Sequence, residues 1–179
     1  MTAVSLSPAV ATPQADLTDP AALRTIYAQF PQGVVVISAE INGVPDGLVA
    51  ATFTVGVSLQ PPLVSFAVQK SSRTWPRLRA VTDHIGVSVL GPEQSHLVRQ
   101  IGSKDPAGRF AGVGTRHHPG GALTLEPTPL WFATRVYNEF PAGDHDVVVL
   151  EVLNYGVEHN AGALVFHQSE LKQLSRLSH

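Results

Sequence analysis

Runs of β-branched and small apolar residues recur down this chain, each closed by a turn signal and few separated by a helix-length segment. GVVVISAEI (33–41) ends at Asn42-Gly43, a dipeptide suited to the positive-φ turn of a hairpin. LVAATFTVGVS (48–58) reads as strand or extended chain and stops at Pro61-Pro62. LVSFAVQ (63–69), IGVSVL (85–90), Leu130–Phe140, Asp146–Val157 and Leu164–Phe166 follow as further strands. Roughly seven strands without regular βαβ alternation, joined mostly by short connections, predict antiparallel pairing. The expected fold class is mainly β: a closed or nearly closed antiparallel barrel with peripheral short α-helices.

The helices are few and short. Thr18-Asp19-Pro20 is a helix start, opening AALRTIYAQF with Leu23, Ile26, Tyr27 and Phe30 on one face and Pro31 as its stop. Ser71-Ser72-Arg73-Thr74 caps a helix running through Trp75 to about Val81. Pro92-Glu93 starts another, with Leu97, Val98 and Ile101 as its apolar stripe, and SELKQLSRL (169–177) reads as a brief helix. Lys104–Gly114 reads as a loop with one helical turn, and His117–Gly121 as a turn cluster. Residues 1–17 lack Lys and Arg, are broken by Pro, and read as a disordered tail before a single domain, 18–179.

Composition removes whole classes of chemistry. The chain has no Cys, which excludes disulfides, thiolate metal sites and cysteine nucleophiles, and suits a reducing compartment; a cytoplasmic location is expected. No apolar run approaches the ~18 residues of a membrane helix, so no membrane partner is expected. The formal net charge is −2, with no global attraction to nucleic acid. Phosphate-loop, nucleophile-elbow and H-E-x-x-H patterns are missing, and Gly112-Val113-Gly114 lacks the context of a dinucleotide fingerprint. His117-His118 reads as a surface turn, and no metal is expected. Charged residues make up only 15%, against about 25% in a typical chain, which points to a surface partly covered by a partner. Residues 70–116 nevertheless hold eight cations (Lys70, Arg73, Arg77, Arg79, Arg99, Lys104, Arg109, Arg116) against three acids (Asp83, Glu93, Asp105). Either these line solvated faces or the middle of the chain receives an anionic ligand.

The informative stretch is DGLVAATFTVGVSLQPPLVSFAVQKSSRTWPRL, from Asp46. Small and hydroxyl residues (Ala50, Ala51, Thr52, Thr54, Ser58) let backbone groups approach the edge of a flat ring. The hydroxyls of Ser71, Ser72 and Thr74, beside Lys70 and Arg73, suit a phosphate. On these grounds alone a Thr-rich strand followed by an ordinary N-cap is the plainer reading.

In order and spacing, FPQGVVVIS (30–38), the segment 46–68, SSRTWPRL (71–78), IGVSVL (85–90), EQSHLVRQIGSKDPAGRF (93–110), GDHDVVVLEV (143–152) and ALVFHQSELKQL (163–174) resemble the flavin reductase-like family of FMN-binding split-barrel proteins. The Thr-Ala-Asn-Ser-Phe that many relatives carry is replaced here by Ala50-Ala51-Thr52-Phe53-Thr54. The resemblance implies a split barrel binding FMN, with FAD an option, and NADH or NADPH as electron donor. It implies a homodimer that supplies reduced flavin to a separate monooxygenase. Ala50–Ser58 would hold the isoalloxazine edge and ribityl chain, and Ser71, Ser72 and Thr74 with Lys70 or Arg73 the phosphate. Arg109-Phe110 matches the family's Arg-Phe pair near the cofactor. Gly143-Asp144-His145 matches its Gly-Asp-His motif, with His145 on the nicotinamide side and Asp144 orienting it or capping the turn; without the resemblance these residues read as a polar turn. Two alternatives stand beside this: a non-enzymatic flavin- or haem-binding split barrel, and an oxidase of phosphorylated pyridoxine.

Overall fold

In a computed structural model the protein is described over residues 16–159 and 161–174; most of the expected N-terminal tail lies outside the described residues. In chain order the elements are α1 (Pro20–Tyr27), β1 (Gln32–Gly33), β2 (Val35–Ile41), β3 (Val44–Ala50), β4 (Thr54–Leu59), β5 (Pro62–Gln69), α2 (Thr74–Arg79), β6 (His84–Val89) and α3 (Ser95–Ile101). Then come β7 (Thr115–His117), β8 (Leu123–Leu125), β9 (Leu130–Ala142), β10 (His145–Val157), β11 (Leu164–His167) and β12 (Glu170–Gln173). Seven strands form one antiparallel sheet in the order β3-β2-β6-β9-β10-β5-β4. The edges, β3 and β4, are not paired to each other, so the sheet stays open rather than closing as a barrel. The chain itself crosses that seam: β3 ends at Ala50, residues 51–53 leave the sheet, and β4 begins on the far edge.

The core follows the period of two. Val35, Ile37 and Ala39 of β2 face one apolar cluster with Val64, Phe66, Trp75, Leu78, Ile85, Val87, Val148 and Leu150. Val34 and Val36 point the other way, onto Leu90, Leu97, Ile101, Leu125 and Leu164. β2 is therefore buried on both faces, which is why its sequence is nearly continuous in Val and Ile. Trp75 is a packing residue: its ring meets Phe66 edge-on at 5.2 Å, and its Nε1 donates to Glu139 at 3.1 Å.

Asp19 caps α1 by accepting from Ala21 N at 2.9 Å, with Pro20 at the first helical position, as the sequence predicts. The expected apolar face of α1 is not covered: Ile26, Tyr27 and Phe30 are exposed. The expected C-terminal helix, 169–177, is overturned over its described part; 175–177 lie outside the described residues. Residues 170–173 form β12, paired antiparallel with β11, and the two-residue turn Gln168-Ser169 takes positive φ at both positions. Pairing with β11, itself joined to β1, outweighs the helical propensity of Glu, Leu, Lys and Gln. No described helix is long and apolar enough to cross a membrane.

Candidate functional site at the open seam

A cleft of about 420 Å³ lies where the sheet fails to close, within the usual range of small-molecule sites. Both sides of the seam supply its walls. Gly47–Ala50 of β3 and the following Ala51 and Thr52 form one side, Ala67–Gln69 of β5 the other. Ser72 and Thr74, the end of α3 at Ile101-Gly102, Arg109 and His145 complete it. Of the residues singled out in the sequence, Ala50, Ala51, Thr52, Ser72, Thr74, Arg109 and His145 thus meet at one cleft.

Ser72 and Thr74 are set up as donors. Ser72 Oγ accepts from Trp75 N at 3.2 Å, so it takes up a free N–H at the start of α2. Thr74 Oγ1 accepts from Arg109 Nη1 at 2.7 Å. Each hydroxyl therefore has a lone pair engaged and its single proton without an acceptor among the described residues. Two such protons lining one cleft suit an anion. α2 spans only six residues, so its dipole adds little.

Arg109 is fixed from behind. Its Nη1 also donates to Asp46 Oδ1 at 3.0 Å and Gly47 O at 3.2 Å, and its Nε to Ser103 O at 2.9 Å. Asp46, 5% exposed, also pairs with Arg77. The guanidinium thus spends most of its donors on the protein. The same holds elsewhere: four of the eight cations in 70–116 sit in ion pairs, Arg77 and Arg109 on Asp46, Arg79 on Glu139 and Arg116 on Glu126.

Thr52 also turns its hydroxyl inward. It donates to Ala67 O and accepts from Ala67 N, both at 3.0 Å, continuing on β5 the pairing that Thr54 begins opposite Ser65. That side chain stitches the loop to the sheet, and residues 50–52 line the cleft. Thr54 and Ser58 lie on β4 outside the cleft lining, and Ser58 Oγ accepts from Gln60 N at 3.2 Å. Phe110 packs with the Val34–Leu164 cluster, behind Gly47, where an added Cβ would come within 3.1 Å of its ring. Arg73 is exposed and has no ion pair among the described residues.

His145 opens β10 directly after a two-residue turn, Gly143-Asp144, with Ala142 as its cross-strand partner. Gly143 has φ +63, the left-handed first position of a type II′ turn, which favours glycine. Asp144 Oδ1 lies 2.7 Å from His145 Nδ1, and this contact, followed by the charges of His145 and Lys70, holds the Asp144 carboxyl below its usual range. Lys70, expected near phosphate, instead donates through Nζ to Gly143 O at 2.6 Å, and its N–H bonds Asp144 O at 3.0 Å. Ser71 Oγ donates to Gln69 Oε1 at 3.3 Å. Sequence reasoning missed Gln69. Only the register, which sets it opposite His145, brings it forward.

The flavin reductase like domain profile matches residues 27–175 of this chain. The chain belongs to that family. Within it, a flavin reductase of Pseudomonas putida is 32% identical over 151 residues, covering 84% of this chain and 87% of that protein. The reductase subunit HsaB of a flavin-dependent monooxygenase from Rhodococcus jostii is 31% identical over 156 residues, covering 87% and 78%. Among solved structures, the NADH:FAD oxidoreductase SgcE6 of Streptomyces globisporus C-1027, in complex with NAD and FAD fragments, superposes with a TM-score of 0.83 at 26% identity, covering 90% of this chain and 96% of that one. In this flavin reductase-like chain the open sheet and the cleft at its seam therefore occur on a family fold.

Proposed function

We propose that this chain is an NAD(P)H:flavin oxidoreductase that takes hydride from a reduced nicotinamide onto FMN, or FAD, and passes reduced flavin to a separate monooxygenase. The observation that carries this reading is that an anion-ready pair, Ser72 and Thr74, and the hairpin histidine, His145, line one cleft. The residues fit a flavin 5′-phosphate: two free hydroxyl protons at the phosphate end, and the edge strand at Leu48–Ala50, with Ala51, for the polar edge of the ring. A bound flavin would supply the hydride acceptor, and a reduced nicotinamide the hydride. The protein's part is positioning. The seam would hold one flat ring between the β3 and β5 walls, and His145, which lines the cleft, would orient the second. No side chain needs to act as a nucleophile.

Support for a homodimer comes from the surface. Val55, Val57 and Leu59 of β4 and Leu153, Tyr155 and Val157 of β10 are exposed apolar residues, and Leu59 is 89% exposed. The cysteine-free composition and the proposed use of a reduced nicotinamide support a cytoplasmic site of action.

Mixing the protein with NADH or NADPH and FMN, FAD or riboflavin, while following nicotinamide absorbance, tests the reading. Flavin-dependent oxidation is expected, with FMN and FAD favoured over riboflavin. Tight flavin or haem binding without oxidation would replace the enzyme by a storage or sensing protein, and turnover only of phosphorylated pyridoxine would replace it by that oxidase. Light scattering at micromolar concentration should return twice the chain mass of 19.0 kDa.

A further inference from the structure

We propose that Gln69 reads the carboxamide of the nicotinamide, working as a pair with His145; this rests on the hydride-transfer reading above. The two residues are direct partners across β5 and β10. Directly opposed residues of an antiparallel pair project from one face with Cβ atoms about 4.5–5.5 Å apart. Both line the cleft.

Their remaining hydrogen-bonding capacity is complementary. Gln69 Oε1 accepts from Ser71 Oγ at 3.3 Å, which turns the amide so that its Nε2 protons are left without an acceptor among the described residues. His145 Nδ1 is held by the Asp144 carboxylate at 2.7 Å, so in the neutral ring the proton sits on Nδ1 and Nε2 is a free acceptor. A donor and an acceptor therefore stand side by side. A primary carboxamide carries the matching pattern on one edge: its oxygen accepts and its NH2 donates. A methyl ketone in the same place keeps the oxygen and loses the donor.

The polar edge of the flavin ring carries a similar donor–acceptor pattern. The placement of Gln69 favours the nicotinamide. Gln69 is exposed and sits beside the exposed Gly143-Asp144 turn, at the rim where a transient substrate enters. The opposite wall, Gly47–Ala50, is half-buried to buried, as suits the ligand that stays.

Calorimetry on the flavin-loaded protein tests this without turnover, using NAD+ and 3-acetylpyridine adenine dinucleotide. Gln69→Leu and the equal-sized Gln69→Glu, which removes the donor, should each weaken NAD+ about tenfold, in line with one lost hydrogen bond. Gln69→Leu should weaken the ketone analogue by the same factor and leave the dissociation constant of FMN within about twofold. His145→Phe should erase the wild-type preference for NAD+ over the ketone. NAD+ binding within about twofold of wild type in both Gln69 variants overturns the proposal, as does a loss that falls on FMN instead. Wild-type protein that binds NAD+ with this pattern yet reduces no flavin supports the carboxamide site while removing the reductase reading. Wild-type protein that binds no NAD+ removes both.

Discussion

The ammonium of Lys70 donates to the Gly143 carbonyl at 2.6 Å, tying the end of β5 to the tip of the β9–β10 hairpin. With the Lys70 N–H on Asp144 O, this clamps the turn that presents His145. Lys70→Met should therefore lower kcat/KM for the reduced nicotinamide about tenfold, the scale of one charge-assisted hydrogen bond. The ratio of FMN to riboflavin affinity should not change. A selective loss of FMN would return Lys70 to the phosphate.

His145→Ala tests the other end of that clamp. Flavin reduction in single-turnover stopped flow should slow by about one to two orders of magnitude. FMN affinity, measured by quenching of flavin fluorescence, should stay within about twofold. An unchanged rate would remove His145 from the reaction.

Ser72→Ala combined with Thr74→Ala removes both free hydroxyl protons from the cleft. Each hydrogen bond to a charged group contributes about 1.5–3 kcal/mol. FMN affinity should fall by at least about a hundredfold and riboflavin by less than about threefold, since only FMN carries the phosphate. Equal losses would place the phosphate elsewhere.

Asp46 is the counter-charge on which the Arg109 side of the cleft depends. Its side chain and that of Arg109 are 7% and 10% exposed. Asp46→Asn leaves a buried guanidinium without its partner, and urea unfolding should show a loss of about 3–5 kcal/mol. Arg77→Met breaks the half-exposed arm of the same cluster and should cost under about 1 kcal/mol. Equal losses would refute the assignment of Arg109 as the buried partner.

His118 supplies a pH dependence away from the cleft. Its ring centre lies 4.6 Å from that of Trp131 and its Nε2 lies 2.8 Å from Thr124 Oγ1. Burial, then the charges of Arg116 and His117, push its pKa down. The unfolded chain therefore binds the proton more readily than the fold does. His118 should add nothing to the pH dependence well above about 6.5, and should reduce stability as pH falls through that value towards its folded pKa. Between pH 7.5 and about 5.5 the urea midpoint of wild type should fall relative to that of His118→Phe. A constant gap would contradict the shift.

Much of the fold was legible because its signals are local. Asn42-Gly43 requires a turn, the Val/Ile run of β2 requires burial, and Asp19-Pro20 starts α1 whatever surrounds it. The C-terminal segment misled because its helical propensity is weak beside a ready strand edge on β11. The hydrogen-bond partners of Lys70, Thr52 and Arg109 were not legible for a related reason. Residue type announces that a cation or hydroxyl seeks a partner, and nothing nearby in the chain says which.

Residue chemistry and spacing were thus enough to establish a mainly β, cysteine-free chain, and its resemblance to the flavin reductase-like family marked its hydroxyls and its Gly-Asp-His turn. Only the folded arrangement decided which of those groups keep a free proton or lone pair. It spends Thr52 on β5, Lys70 on a turn and Arg109 on Asp46, and it sets Gln69 across from His145. A hydrogen bond's partner is chosen by which strands come to lie side by side, and that pairing is settled over the whole sheet rather than within any one segment.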